Sequence, residues 1–172
     1  MSYANALLQP VQYKVELTSM GVWKTYLSPG GSYYAEFTSH RTIGVLPLLH
    51  YTRGRNPETG RRKPAVGFIA IGRIAVGVIA IGQAAVGVIT VGQLSIGLVI
   101  GVGQLATGLF SLGQVALALI FGLGQFATGL VAVGQFSLGY FAIGQQAFGA
   151  HVWSMTRHDS AISRLLYSIW RW

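Results

Sequence analysis

No cysteine occurs among the 172 residues, which excludes disulfides and thiolate metal ligands. Charge is also scarce: 12 basic and four acidic residues make up 9% of the chain, where about a quarter is usual. Glu16, Glu36, Glu58 and Asp159 are scattered along the sequence, and His40, His50, His151 and His158 form no HxH or HxxxH pair. No metal centre is therefore expected. Ser39-His40 beside Glu36 lacks the spatial pairing that a nucleophile, a base and an orienting group require, so no catalytic residue and no cofactor are expected either. Gly101-Val102-Gly103 and Gly122-Leu123-Gly124 lack the Lys-Ser/Thr or third glycine of a phosphate loop. Met1 to Glu16 has no basic stretch followed by an apolar core, so a secretory leader is not expected and the chain is placed in the cytoplasm or on the cytoplasmic face of a membrane.

Hydrocarbon and glycine fill the composition instead, with 52% hydrophobic residues and 24 glycines. This points to membrane, assembly or repeat architecture. The formal charge of +8 is gathered outside the apolar region: Arg53, Arg55, Arg61, Arg62 and Lys63 form a basic collar before it, and Arg157, Arg164 and Arg171 follow it. Within it, Arg73 is the one charged side chain. Such a collar suits an acidic partner, nucleic acid or anionic headgroups, or simply keeps the chain soluble; no nucleic-acid reading module surrounds it.

Residues 1–63 read as a small β-rich cap. Val11 to Leu17 alternates apolar and polar, the pattern of a half-buried strand. Val22 to Leu27 and Tyr33 to Thr38 flank Ser28-Pro29-Gly30-Gly31, a hairpin signal. Ile43 to Tyr51 is a further extended run, bent or held at an edge by Pro47, and Asn56-Pro57-Glu58-Thr59-Gly60 is a loop.

Residues 64–150 divide into pentads such as AVGFI, AIGRI, AVGVI and TVGQL. Each runs small residue, aliphatic, glycine, variable residue, larger apolar residue. A glycine every five residues steps about 140° around a helix, forms no stripe, and costs about 1 kcal/mol each relative to alanine. Transmembrane helices also need polar turns that the segment lacks. A β-solenoid is the expected fold. Gln83, Gln93, Gln104, Gln114, Gln125, Gln135 and Gln145 are spaced by 10 or 11 residues, and the two insertions, at Ile100-Gly101 and Phe121-Gly122, are 21 apart. A bulge stacked on itself in successive coils makes the coil four pentads, about four coils in all.

That register predicts four columns. Two opposite sides carry glutamine ladders, Gln93, Gln114 and Gln135 with Arg73 on one and Gln83, Gln104, Gln125 and Gln145 on the other. The remaining two carry hydrocarbon: Val78, Leu98, Leu119 and Tyr140, and Phe68, Val88, Leu109 and Leu130. Stacked glutamines are expected to hydrogen-bond along the rod. Glycine and the large residue two positions on, such as Gly87 with Ile89 or Gly108 with Phe110, are expected to face the axis, with Val86, Val91 and Ile96 outward. After His151, Asp159 or Ser160 starts an amphipathic helix in a 151–172 segment that either caps the last coil or anchors at a membrane surface through Trp170, Arg171 and Trp172.

The pentads resemble the pentapeptide-repeat class of right-handed quadrilateral β-helices, with glutamine or an aliphatic where that class favours Asp or Asn. A closer resemblance, over residues 40–150, is to uncharacterised bacterial proteins in which a phrase like Gly44-Val45-Leu46-Pro47-Leu48-Leu49-His50 precedes many AxGxxAIG units. It implies a bacterial source and the same solenoid, without an activity. A noncatalytic structural subunit, oligomeric or membrane-associated, is therefore expected; the alternative is a soluble platform that recruits an acidic partner through the collar.

Overall fold

The computed structural model describes residues 11–169 and is almost wholly β. Strands β1 (Lys14–Leu17), β2 (Gly21–Leu27) and β3 (Tyr33–Ser39) form an antiparallel meander. The predicted hairpin is present: Gly31, at φ 79°, takes the left-handed position of the turn, and Leu27 faces Tyr33 across the strands. Its register sets Trp23 against Phe37, with ring centroids 4.9 Å apart. β1 is shorter than the alternation from Val11 suggested, and all four of its residues are exposed rather than half-buried, because it is the edge strand of the sheet.

The run from Ile43 to Tyr51 is broken as Pro47 required. β4 (Thr42–Ile43) and β5 (Leu46–Pro47) make a tight hairpin through Gly44, and β6 (Leu49–Arg53) then pairs antiparallel with β3. The Asn56 to Gly60 loop closes on itself, Asn56 Oδ1 accepting from Glu58 N at 2.8 Å.

β7 (Ala65–Phe148) is 84 residues of continuous strand. Laid straight it would reach about 280 Å at the usual rise. Instead it passes over itself every two pentads: a Cβ on Gly77 would lie 2.1 Å from the Gly67 carbonyl oxygen, one on Gly82 2.1 Å from Gly72, and one on Gly87 2.0 Å from Gly77. β6 lies parallel beneath the start of β7 (His50 opposite Ala70), and β8 (His151–Trp153) lies parallel on its end, Val152 opposite Ala142. The sheet thus runs from β1 at one end to β8 at the other.

These contacts correct the expected register. Neighbouring layers are ten residues apart, or eleven across an insertion as in Gly103 on Gly92 and Gly124 on Gly113, so the coil of four pentads is not the one seen. The layer joining Gly103 to Gly113 has ten residues, so the two insertions are separated by a regular layer rather than stacked on each other.

The interior is correspondingly narrow. Its side chains are the first residues of the pentads: Ala65, Ala70, Ala75, Ala80 and Ala85 form one cluster, continued by Thr90, Ser95, Ala106, Ser111, Ala116, Ala127, Ala132, Ser137 and Ala142, all buried. The expected inward pairing is overturned, since Ile89 and Phe110 are 37% and 40% exposed. A layer of ten residues leaves room between its two runs for methyl and hydroxyl groups alone. Val86, Val91 and Ile96 do point outward. The buried hydroxyls serve the first insertion, where Thr90 Oγ1 donates to Ile100 O (3.3 Å) and Val102 N donates to Ser95 Oγ (3.1 Å).

One glycine place in the pentads holds alanine. Ala118 follows Gly108 by ten residues in the layer between the insertions, and a Cβ on Gly108 would meet nothing closer than 3.1 Å. The insertions relieve the carbonyl contact there. Beyond β8, the helix α1 (Ser160–Ile169) begins where predicted, with Asp159 Oδ1 accepting from Ala161 N (3.0 Å) as its N-cap and Ile162 fully buried beneath it.

Gly87→Ala should destabilise the protein by about 3 kcal/mol or more, and Gly108→Ala by about 1 kcal/mol or less, measured by denaturant unfolding followed by circular dichroism. Equal losses would show that the carbonyl contact does not set the glycine requirement.

Candidate functional site

The ten-residue spacing merges the four predicted columns into two. Gly87 sits over Gly77 and the Val78 carbonyl, and Gly149 over Gly139 and the Tyr140 carbonyl. Phe68, Val78, Val88, Leu98, Leu109, Leu119, Leu130 and Tyr140 therefore fall in a single line, with Leu98 and Leu119 at 70% and 74% exposure. On the other side, Gly92 sits over Gly82 and the Gln83 carbonyl, and Gly124 over Gly113 and the Gln114 carbonyl. Arg73, Gln83, Gln93, Gln104, Gln114, Gln125, Gln135 and Gln145 make the second line, every one of them exposed. One side carries hydrocarbon and the other amide.

The expected ladder bonding is not seen: among the described residues no side-chain hydrogen bond joins one glutamine to another, and all seven ladder glutamines are exposed. Beside the glutamines, the glycine line leaves an open furrow walled by Ile81, Val91 and Val102. Its first stretch, about 950 Å³, is closed by Tyr33, Arg53 and Arg73; another, about 530 Å³, reaches Trp153 and His158 at the far end.

At the N-terminal end of the core, the place held by alanine in later layers is taken by His50. Its imidazole is buried and needs partners. Val66 N donates to Nδ1 (2.8 Å), and Nε2 donates to Glu36 Oε1 (3.1 Å). Glu36 also accepts from Tyr34 Oη (2.7 Å) and pairs with Lys63. Its carboxyl is held down to about 2, chiefly by the His50 hydrogen bond with help from Lys63 and Tyr34, against the opposing effect of burial. Burial and the Glu36 carboxylate together push the Tyr34 phenol upward. A second histidine–carboxylate pair closes the other end, His151 Nδ1 lying 2.9 Å from Asp159 Oδ2. The Ala161 backbone N–H, then His151, lower the Asp159 carboxyl.

Both clusters and the alanine core lie beyond the expectations drawn from the sequence. The core had a signal, since the first position of a pentad in residues 65–142 never exceeds threonine in size. The Glu36, His50 and Lys63 cluster had none, because its members come from β3, β6 and the loop before β7. The basic collar is split: Arg53, Arg55, Arg61 and Arg62 are exposed, whereas Lys63 is engaged by Glu36. Trp170, Arg171 and Trp172, the expected anchor, lie outside the described residues. No family model, curated protein or solved structure matches this chain.

A carboxyl lowered from 4.5 to about 2 contributes stability that is fully present above about pH 4.5 and lost as pH falls toward 2. Glu36→Gln should cost about 3 kcal/mol at pH 7 and flatten that acid loss, read as unfolding midpoints at pH 7 and pH 3. A variant whose midpoint falls with acid as steeply as the parent's would remove Glu36 from this role.

Proposed function

We propose that the chain is a noncatalytic structural subunit built on a β-solenoid of two-pentad turns, about eight of them, whose apolar side is a contact surface for lipid or for partner subunits. The observation that carries this reading is the line of exposed Leu98, Leu119, Leu130 and Tyr140, flanked by exposed Val76, Val86, Ile96 and Leu138. An uninterrupted apolar surface of this kind on a water-soluble monomer is an aggregation hazard, and a contact that covers it removes the hazard. The furrow supports the same reading, because its larger stretch is lined mainly by glycines, aliphatics and amides and holds no carboxylate or imidazole. Fractionation tests it: the chain is expected with membranes or in a large assembly, and recovery as a detergent-free soluble monomer would reject the proposal.

A soluble platform that recruits an acidic macromolecule is supported by the four exposed arginines Arg53, Arg55, Arg61 and Arg62, of which Arg53 lines the furrow together with Arg73. On that reading, exchanging the four for glutamine abolishes capture of a polyanion such as heparin and leaves oligomer size unchanged. Capture that survives the exchange eliminates it.

A further inference from the structure

We infer that the stack stands upright through a lipid bilayer, its axis along the membrane normal, with acyl chains on the apolar side and the glutamine line of a second copy on the other. The inference rests on the solenoid reading and names the surface it meets. No helix among the described residues is long and apolar enough to cross a membrane, so the crossing falls to the stacked strands.

Height is the first argument. Seven glutamine layers, from Gln83 to Gln145, span six steps of about 4.8 Å, or about 29 Å, against a hydrocarbon core of about 30 Å. Charge respects the same limits. Arg73 lies one layer below Gln83; the next charged groups are in the cap on that side and beyond β8 on the other, where Arg157 and Asp159 lie. Aromatic residues with a polar edge follow suit in the sequence: all four tryptophans and seven of the eight tyrosines fall outside residues 83–145, and the eighth, Tyr140, belongs to the last layer of that span.

The backbone permits it. β6 and β8 pair in parallel with the two ends of β7, and at the first insertion the Ile100 carbonyl and Val102 N–H are met by Thr90 and Ser95, so hydrogen bonds run along the axis and the sides present no strand edge to lipid. A rod lying flat would wet one side, yet apolar side chains are exposed on both: Ile81, Val91, Val102 and Leu112 border the glutamines as Val86 and Ile96 border the leucines. The glutamine amides are unpaired with one another, and in hydrocarbon they need partners. A second copy repeats the same line at the same spacing and supplies them.

Polarised infrared spectroscopy of the full chain in aligned phosphatidylcholine–phosphatidylglycerol bilayers reads the orientation. Carbonyls along the stack axis should give an amide I dipole near the membrane normal. A dipole in the membrane plane overturns the upright rod but leaves membrane association standing; no retention in the bilayer overturns this inference and removes lipid from the proposed function. Two exposed positions give a depth test that spares the core. Leu119→Lys, at mid-height, should reduce bilayer retention about thirtyfold or more, and Phe148→Lys, at the end, about fivefold or less. Equal losses reject the orientation. With no native cysteine to interfere, a short bis-maleimide should link Gln104→Cys chains to each other and leave Leu109→Cys chains unlinked; the reverse pattern assigns the second copy to the wrong side.

Discussion

The distance between successive layers at the glycine lines governs this molecule. Where Gly87 stands, the carbonyl oxygen of Gly77 already fills the space in which a side chain would begin. Outside the layers relieved by the insertions, where Ala118 stands, that contact requires glycine twice in every layer and lets the strand turn back within five residues. A turn this short brings the two runs of a layer so close that alanine, serine and threonine fill the space between them. Larger side chains have nowhere to go but outward. The greasy exterior is thus the counterpart of the tight interior, and both descend from one backbone contact.

A file of methyl groups cannot close its own ends, and each end is finished with a polar device. His50 occupies the first inner position and is held by Glu36, Tyr34, Lys63 and the Val66 amide. At the far side Val152 covers Ala142, Ile162 is buried, and the His151–Asp159 pair ties β8 to the start of α1. A buried polar group that is fully partnered fixes geometry more sharply than packing of small side chains can. The caps therefore set where the stack begins and ends, and they separate the charged regions from a length between them whose one charged side chain is Arg73.

Much of this was legible in residue order. The glycine pentads excluded helices, the Ser28 to Gly31 turn located a hairpin, and Asp159 located a helix start. The layer repeat was also present as the 10/11 rhythm of the glutamines, but the 21-residue interval between insertions pointed to a coil twice as large. Spacing alone could not separate one insertion per layer from one in every second layer. The orientation of the pentad was misread because glycine looks like a residue that leaves room inside. Its missing Cβ in fact makes room along the stack, for a carbonyl, and the small first residue is the one that faces inward. The polar cap at His50 depends on a meeting of β3, β6 and a loop that no local pattern announces.

The alanine core has a thermodynamic corollary. Unfolding a globular protein exposes large apolar side chains, and that newly wetted surface sets both the heat-capacity increment and the slope of stability on denaturant. Here the large side chains are already partly outside, many of them about 40% exposed, so unfolding newly uncovers only the remainder of each, together with the inner methyl groups and peptide backbone. The stability curve of the free chain is accordingly shallow in temperature and weak in its response to urea for a protein of this length. Its cohesion has the character of a hydrogen-bonded fibre more than that of an oil drop.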